Sequence, residues 1–243
     1  IQPIAAKTDA EFIKISFDWM KQQPRSWSFL VENCLAKELM PVFIPAALSA
    51  RLNRRSTYFF FHDLALSFNP VGFLIRKFIL IILGAASICN SQFTAKYTQR
   101  FIKDIRGILY QPVDFDRFNS LTPSNPPPEL KAIVDSNCRI MLTPSRIDSP
   151  DVFNDKNLRA LIPVLAKLKA MGHNHHGVII GKDTSSDGSN SKDLQAMAAQ
   201  MGVAECLTIL PPAIEIELYY KYADVVVTLA PREPFGRTVV EAV

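Results

Sequence analysis

The chain lacks the features that would mark several common classes of protein. It has four cysteines in 243 residues. Cys34, Cys89, Cys138 and Cys206 lie far apart and form no CxxC pair, which excludes a disulfide framework and a clustered zinc site. Reduced thiols in a cytoplasmic chain are the expectation. There is no secretory leader pattern, since Ile1 is followed by Pro3, Lys7 and Asp9. There is no internal repeat, and no apolar run long enough to cross a bilayer. The longest candidate, Phe78 to Cys89, is twelve residues, against the roughly 20 a spanning helix needs. A buried core helix is the first reading of that run. An interfacial helix, with Arg76 and Lys77 at lipid headgroups, is the second. Strong net charge is also missing, because the total is +4. No nucleic-acid partner is expected.

The composition is that of a globular chain. Apolar residues make up 48% and charged residues 21%, enough to bury a sizeable core and too apolar for disorder. The charge is uneven. Residues 1–130 hold 15 Lys/Arg against 10 Asp/Glu, and residues 131–243 hold 12 against 13. The basic first half suits an anionic partner such as a phosphate or a lipid headgroup, or is simply a solvated surface. Both ends of the chain are expected to be truncations: it opens on Ile1, not Met, and stops at Val243 inside an amphipathic pattern with no stop signal.

Strand-like and helical segments alternate. Thr57 to Phe61, Ala85 to Asn90 and Ile108 to Val113 read as strands of a first half. Ser91 is placed to cap a helix. The stretch from Ser120 to Pro128 holds four prolines and reads as a linker. The expected division is a first Rossmann-like domain over 1–120, a linker over 121–130 and a second Rossmann-like domain over 131–243. In the second half, strands are expected at Arg139–Thr143, Gly177–Gly181, Leu207–Leu210 and Ala223–Leu229. Helices are expected at Leu158–Met171, Asp193–Met201 and Ile214–Tyr222. Buried Val/Ile strands between amphipathic helices imply parallel sheets covered on both faces, an α/β fold of two doubly wound domains facing across a cleft. Ligands of such sheets bind at the carboxyl ends of strands. His62, Arg146, Gly181 and Glu233 all follow strand-like runs.

The segment Ala230 to Glu241 carries the most chemistry. Glu233 lies in a loop after an apolar run. Pro234 and Gly236 shape a turn, and a helix is expected to open near Thr238. Its free N–H groups suit a phosphate. Glu241, read as lying in the first helical turn, can accept both hydroxyls of a ribose. Thr238-Val-Val-Glu241 is equally a capping box, in which Glu241 serves only the helix start. His173, His175 and His176 read as a solvated turn after a helix, with a spacing that can attract a metal.

The run Glu233-Pro-Phe-Gly-Arg-Thr-Val-Val-Glu241 resembles the E-x7-E signature of the family-four retaining nucleotide-sugar glycosyltransferases (glycosyltransferase group 1), which have the GT-B fold. Ser145-Arg146 and Lys156-Asn157 resemble that family's donor-phosphate pair. Val178 to Gly181, Tyr222 to Val225, His62-Asp63, Asn90 to Thr94 and Pro112 to Asp114 resemble further elements in the same order. The resemblance covers roughly residues 57–243. It implies donor contacts from Arg146, Lys156, Gly181, Phe235, Gly236, Arg237, Thr238 and Glu241. It also implies active-site roles for His62 and Glu233. The implied reaction is transfer of a hexosyl group from a nucleotide-diphosphate sugar to a sugar or lipid-linked acceptor, with retention of configuration. No cofactor and no metal are implied, and a cytoplasmic location, peripheral at a membrane, is expected. The chain departs from the family in several places, among them the nine residues that separate Arg146 from Lys156, more than the family often shows. Leu229-Ala230 stands where Pro-Ser is usual, Asn157 stands where Gly is commoner, and no glycine-rich loop appears near the start. A non-catalytic, nucleotide-sugar-binding fragment is therefore the alternative.

Overall fold

A computed structural model describes residues 5–32, 40–52, 54–62, 70–84, 86–150 and 155–243. Cys34, Asp63 and Ala85, named above, lie outside these residues. The chain divides into two compact units, Ile1–Gln111 and Pro112–Val243.

Unit 1 opens with helix α1, Asp9–Gln22. The Thr8 hydroxyl accepts from the Glu11 N–H at 3.2 Å, and the Lys7 N–H donates to the Glu11 carboxylate at 2.7 Å. These reciprocal bonds satisfy end groups the helix itself cannot. Ile13, Phe17 and Met20 recur at helical spacing and are buried. Strands β1 (Phe29–Glu32), β2 (Thr57–Phe61), β3 (Ala86–Cys89) and β4 (Ile105–Ile108) form a parallel sheet in that order. Helices α2 (Met40–Leu52), α3 (Pro70–Leu83) and α4 (Gln92–Thr98) connect them. Phe59 and Phe61 point into a core shared with Phe17, Phe43, Ile79 and Leu80.

The expected strand at Ile108 to Val113 begins earlier and stops at Ile108. Its partner β3 ends at Cys89, whose carbonyl takes the last bond from Leu109 N–H at 2.8 Å. The apolar run from Phe78 to Cys89 is not a buried core helix. It finishes α3, turns at Gly84 in a left-handed conformation (φ 56°) and becomes β3. Among the described side chains of α3, the buried ones are Ile79 and Leu80. No helix among the described residues is long and apolar enough to cross a membrane.

Unit 2 holds strands β5 (Arg139–Pro144), β6 (His175–Ile180), β7 (Leu207–Leu210) and β8 (Val225–Val226), all parallel, in the order β7-β6-β5-β8. Helices α5 (Pro128–Asp135), α6 (Leu161–Ala170), α7 (Ser189–Gln200), α8 (Ile216–Tyr220) and α9 (Arg237–Ala242) alternate with them. Ile140, Leu142, Val178 and Ile180 pack on one face with α5 and α8. Met141 and Ile179 pack on the other with α6 and α7. Alternate side chains of each strand thus serve opposite cores, which is why the strands read as continuous apolar runs.

The proline-rich stretch belongs to unit 2, and the division falls at 111/112, earlier than the expected linker. Arg117 donates to Glu217 at 2.9 Å and to the Ile214 carbonyl at 2.6 Å. Lys221 donates to the Thr122 carbonyl at 2.9 Å, and Tyr222 to the Ser124 carbonyl at 2.5 Å. An extended chain without internal hydrogen bonds leaves its carbonyls free to accept such bonds.

His175 and His176 do not lie in a turn; they open β6. The His176 ring Nε2 meets the Thr208 hydroxyl at 2.8 Å, and burial lowers its pKa. Among the described residues no group of three or more His, Cys, Asp or Glu side chains is placed to hold a metal.

Candidate active site

Strand order sets where a ligand can sit. After β5 the chain runs outward through β6 and β7, then returns to lay β8 on the other side of β5. The loops leaving β5 and β8 therefore diverge and open a crevice at the carboxyl edge of the sheet. A cleft of about 270 Å³ lies there, walled by residues 143–146 at the end of β5 and 227–230 after β8. Lys156, Glu233, Arg237 and Thr238 close it. Complete small-molecule sites measure roughly 300–1,000 Å³, so this cleft suits part of a larger ligand.

Three cations reach the cleft, and each is held by a carboxylate. Arg146 Nε lies 2.6 Å from Asp148, whose side chain is only 4% exposed while that of Arg146 is 46% exposed. Arg237 Nε lies 2.8 Å from Glu241, again with the carboxylate withdrawn. In both pairs a sheltered anion fixes the orientation of a guanidinium that points outward. Such preorganised forks bind phosphate oxygens in pairs. The third pair differs. Lys156 Nζ meets Glu233 Oε2 at 2.7 Å, both groups line the cleft, and neither is fully exposed.

Local structure explains these placements. Gly181 directly follows β6, and a Cβ there would fall 1.8 Å from the Ser145 carbonyl oxygen. Only glycine lets the β5 loop, with Arg146, pass so close. Asn157 adopts a left-handed conformation, φ 54° and ψ 35°. Asn and Gly tolerate that region best, which accounts for Asn at this position. Its side chain reaches the Leu229 carbonyl at 3.5 Å.

Gly236, at φ 76°, precedes the first residue of α9. The helix therefore starts at Arg237, so Glu241 lies beyond its first turn. The capping box between Thr238 and Glu241 is not formed. Glu241 instead accepts from the Tyr220 hydroxyl at 2.9 Å and pairs with Arg237. Burial first, and then the Glu241 charge, push the Tyr220 phenol well above its usual pKa.

Of the residues expected from sequence, Arg146, Lys156, Glu233, Arg237 and Thr238 line one cleft. Gly181, Phe235, Gly236 and Glu241 are not among its lining residues. Gly181 acts behind it, and Gly236 supplies the turn into α9. His62 belongs to unit 1. It follows β2, its carbonyl accepts from the Asn90 amide at 2.9 Å, and its Nδ1 lies 3.4 Å from Glu32 without hydrogen-bond geometry. Sequence reasoning missed Asp148 and Tyr220. Asp148 had a signal, an acid two residues after the key arginine. Tyr220 had none, since it is 21 residues from Glu241.

The two parallel α/β units, and the switch-point cleft of unit 2, are those of GT-B folds. The chain is similar to HepE of Anabaena, solved with UDP and glucose, at 19% identity and a TM-score of 0.73; the match covers 95% of this chain and 59% of that one. It is similar to a glycosyltransferase of Rickettsia africae ESF-5 at 17% identity and a TM-score of 0.66, covering 99% and 62%. Sucrose-phosphate synthase of Thermosynechococcus elongatus gives 16% and 0.65, covering 96% and 57%. The chain thus spans about six tenths of the length of these structures. A comparison with curated proteins gives no match. Residues 147–243 match the model of the glycosyl transferases group 1.

Proposed function

We propose that the cleft of unit 2 binds the diphosphate and sugar of a nucleotide-sugar donor, and that the whole protein is a retaining hexosyltransferase acting on a sugar or lipid-linked acceptor. The observation that carries this reading is the convergence of Arg146, Lys156 and Arg237 on one switch-point cleft, with Glu233 the carboxylate among them. Cleavage of the anomeric C–O bond leaves its electron pair on the departing diphosphate. Cations fixed beforehand around that group stabilise the transition state more than the ground state. The acceptor oxygen forms the new bond on the face the diphosphate leaves, and its proton passes to the leaving phosphate. Glu233 orients the sugar and does not attack it, unlike the paired carboxylates of glycoside hydrolases.

Lys156 and Glu233 pair within the cleft. A bound diphosphate competes for Lys156, and the freed Glu233 carboxylate turns to the sugar hydroxyls. Glu241 positions Arg237. No metal is assigned to the cleft, because its anionic ligand meets cationic side chains. UDP is the first nucleotide to test, since HepE was solved with it.

The decisive experiment is Glu233→Gln in the full-length protein. Turnover is expected to fall about a hundredfold or more with the fold intact, the scale of effect expected from misplacing a bound substrate; near-normal turnover refutes the role. Titration calorimetry of the present chain with a panel of nucleoside diphosphates separates the two classes of reading. Binding of one base supports a donor site, and binding of none by folded protein supports a fragment without that function. His62→Ala in the same turnover assay is expected to lower kcat.

A further inference from the structure

Helix α3 of unit 1 presents an apolar face to solvent. Val71, Leu74, Ile75, Phe78 and Ile81 recur at the spacing of one helical face. All five are exposed, Leu74 and Phe78 by 62% each and Ile81 by 59%. The opposite side, with Ile79 and Leu80, is packed into the core of the unit. A contiguous apolar stripe on an outer helix marks an interaction surface.

The charge around this stripe identifies what it meets. Residues 40–111 carry nine Lys/Arg and two Asp/Glu. Lys77, at the border of the stripe, lines a shallow groove together with Ile81 and Lys103. Arg51 of α2 donates to the Ile81 and Ile82 carbonyls at the end of α3, which puts a further cation beside it. A second copy of the chain would bring two strongly basic surfaces together. An anionic bilayer offers hydrocarbon to the stripe and negative charge to its border at once.

We propose that the exposed face of α3 lies in the interface of an anionic phospholipid membrane, with Lys77 and Lys103 at the phosphate headgroups. The helix lies flat in the interface; it has 14 residues and cannot span. Arg76 takes no part, since it sits two residues from Phe78 and so on the other side of the helix. The proposal does not depend on the donor cleft, which belongs to unit 2.

Vesicle co-sedimentation tests it. The protein is mixed with vesicles of phosphatidylcholine alone or of phosphatidylcholine with phosphatidylglycerol. The protein is expected to pellet with the anionic vesicles and to be released by salt. Lys77→Glu with Lys103→Glu should lower the partition about tenfold or more, the scale expected for reversing two headgroup contacts. Leu74→Asp with Phe78→Asp should abolish it. All four positions lie on the surface or at its border, and an unchanged circular dichroism spectrum verifies each fold. Folded protein that stays in the supernatant overturns the proposal. So does equal binding to neutral vesicles that neither variant weakens. Light scattering supplies a third refuting outcome: a dimer dispersed by Leu74→Asp with Phe78→Asp, without vesicle binding, assigns the face to a second copy.

Discussion

At Gly181 the fold depends on a missing side chain. The Ser145 carbonyl occupies the space a Cβ would take, at 1.8 Å, and backbone cannot give way as a flexible side chain can. Gly181→Ala is expected to cost about 1–3 kcal/mol, the range for forced overpacking, measured by urea denaturation. Because Ser145 precedes Arg146, nucleotide affinity should fall in the same variant. Asp183, two residues on, holds the neighbouring loop. Its carboxylate accepts from the Ser185 N–H (2.9 Å) and hydroxyl (2.6 Å), from the Ser191 N–H (2.7 Å) and hydroxyl (2.6 Å), and from the Asn190 amide at 3.0 Å. Asn190 also donates to the Ile147 carbonyl at 3.2 Å, between Arg146 and Asp148. Burial alone would raise the Asp183 pKa, but the bonds from Ser185 and Ser191 outweigh it and hold the carboxyl well below its usual range. A depressed folded pKa contributes stability that is complete above the unfolded value, near 3.8, and is lost as pH falls through the lower folded value. Asp183→Asn should therefore cost about 1–3 kcal/mol at neutral pH. The gap from the parent should narrow progressively once the pH drops below the unfolded value, as read by denaturation at several pH values.

Among the elements, the clearest were those whose signals are local. Thr57 to Phe61 was legible as a strand over the five residues it occupies, because an aromatic run can pack only against a sheet neighbour and a core. Ser91 was legible as a cap, and its hydroxyl does accept from the Thr94 N–H at 3.0 Å. Helix α7 starts four residues before the expected Asp193, since its first N–H groups are met by Asp187 and by the remote Asp183. A polar stretch capped from eight residues upstream looks like a loop. The apolar run from Ala223 to Leu229 contains only a two-residue strand, because β8 pairs with Met141 and Leu142 and then leaves the sheet to wall the cleft. What anchors so short an edge strand is Asp224. Its carboxylate accepts from the Ile140 N–H at 2.7 Å, and its own N–H donates to the Ile140 carbonyl at 3.0 Å. Asp224→Ala leaves a buried N–H without a partner and should cost about 1–3 kcal/mol, with Asp224→Asn milder because an acceptor oxygen remains. Equal effects of the two in denaturant titrations would contradict this account. The lining residues of the cleft were legible from ordered motifs. The pairing of Lys156 with Glu233 was not, because contact across 77 residues leaves no periodic trace.

Over the whole molecule the charge divides with the units. Ile1–Gln111 holds 14 Lys/Arg and 7 Asp/Glu, and Pro112–Val243 holds 13 and 16. The unit with the cationic cleft is thus the more acidic one, so the proposed anion binding there would rest on three placed side chains and not on a general field. Long-range attraction spreads over many sites and is screened within about 8–10 Å at ordinary salt. A phosphate held by forks inside a cleft is less exposed to that screening. Nucleotide binding by unit 2 should therefore weaken only modestly with salt. A ligand that binds only the folded state stabilises it by about 2.7 kcal/mol at a hundred times Kd, and that gain should appear where the contacts form. Hydrogen exchange with and without UDP is expected to slow at 143–146, at 156–158 and at 227–241, with unit 1 unchanged. Nucleotide-dependent protection confined instead to unit 1 would remove the donor assignment from this cleft. Protection at the cleft that vanishes in Arg146→Ala but persists in Arg146→Lys would show that charge alone suffices. Loss in both variants would show that the paired geometry of the guanidinium, held by Asp148, is what the site uses.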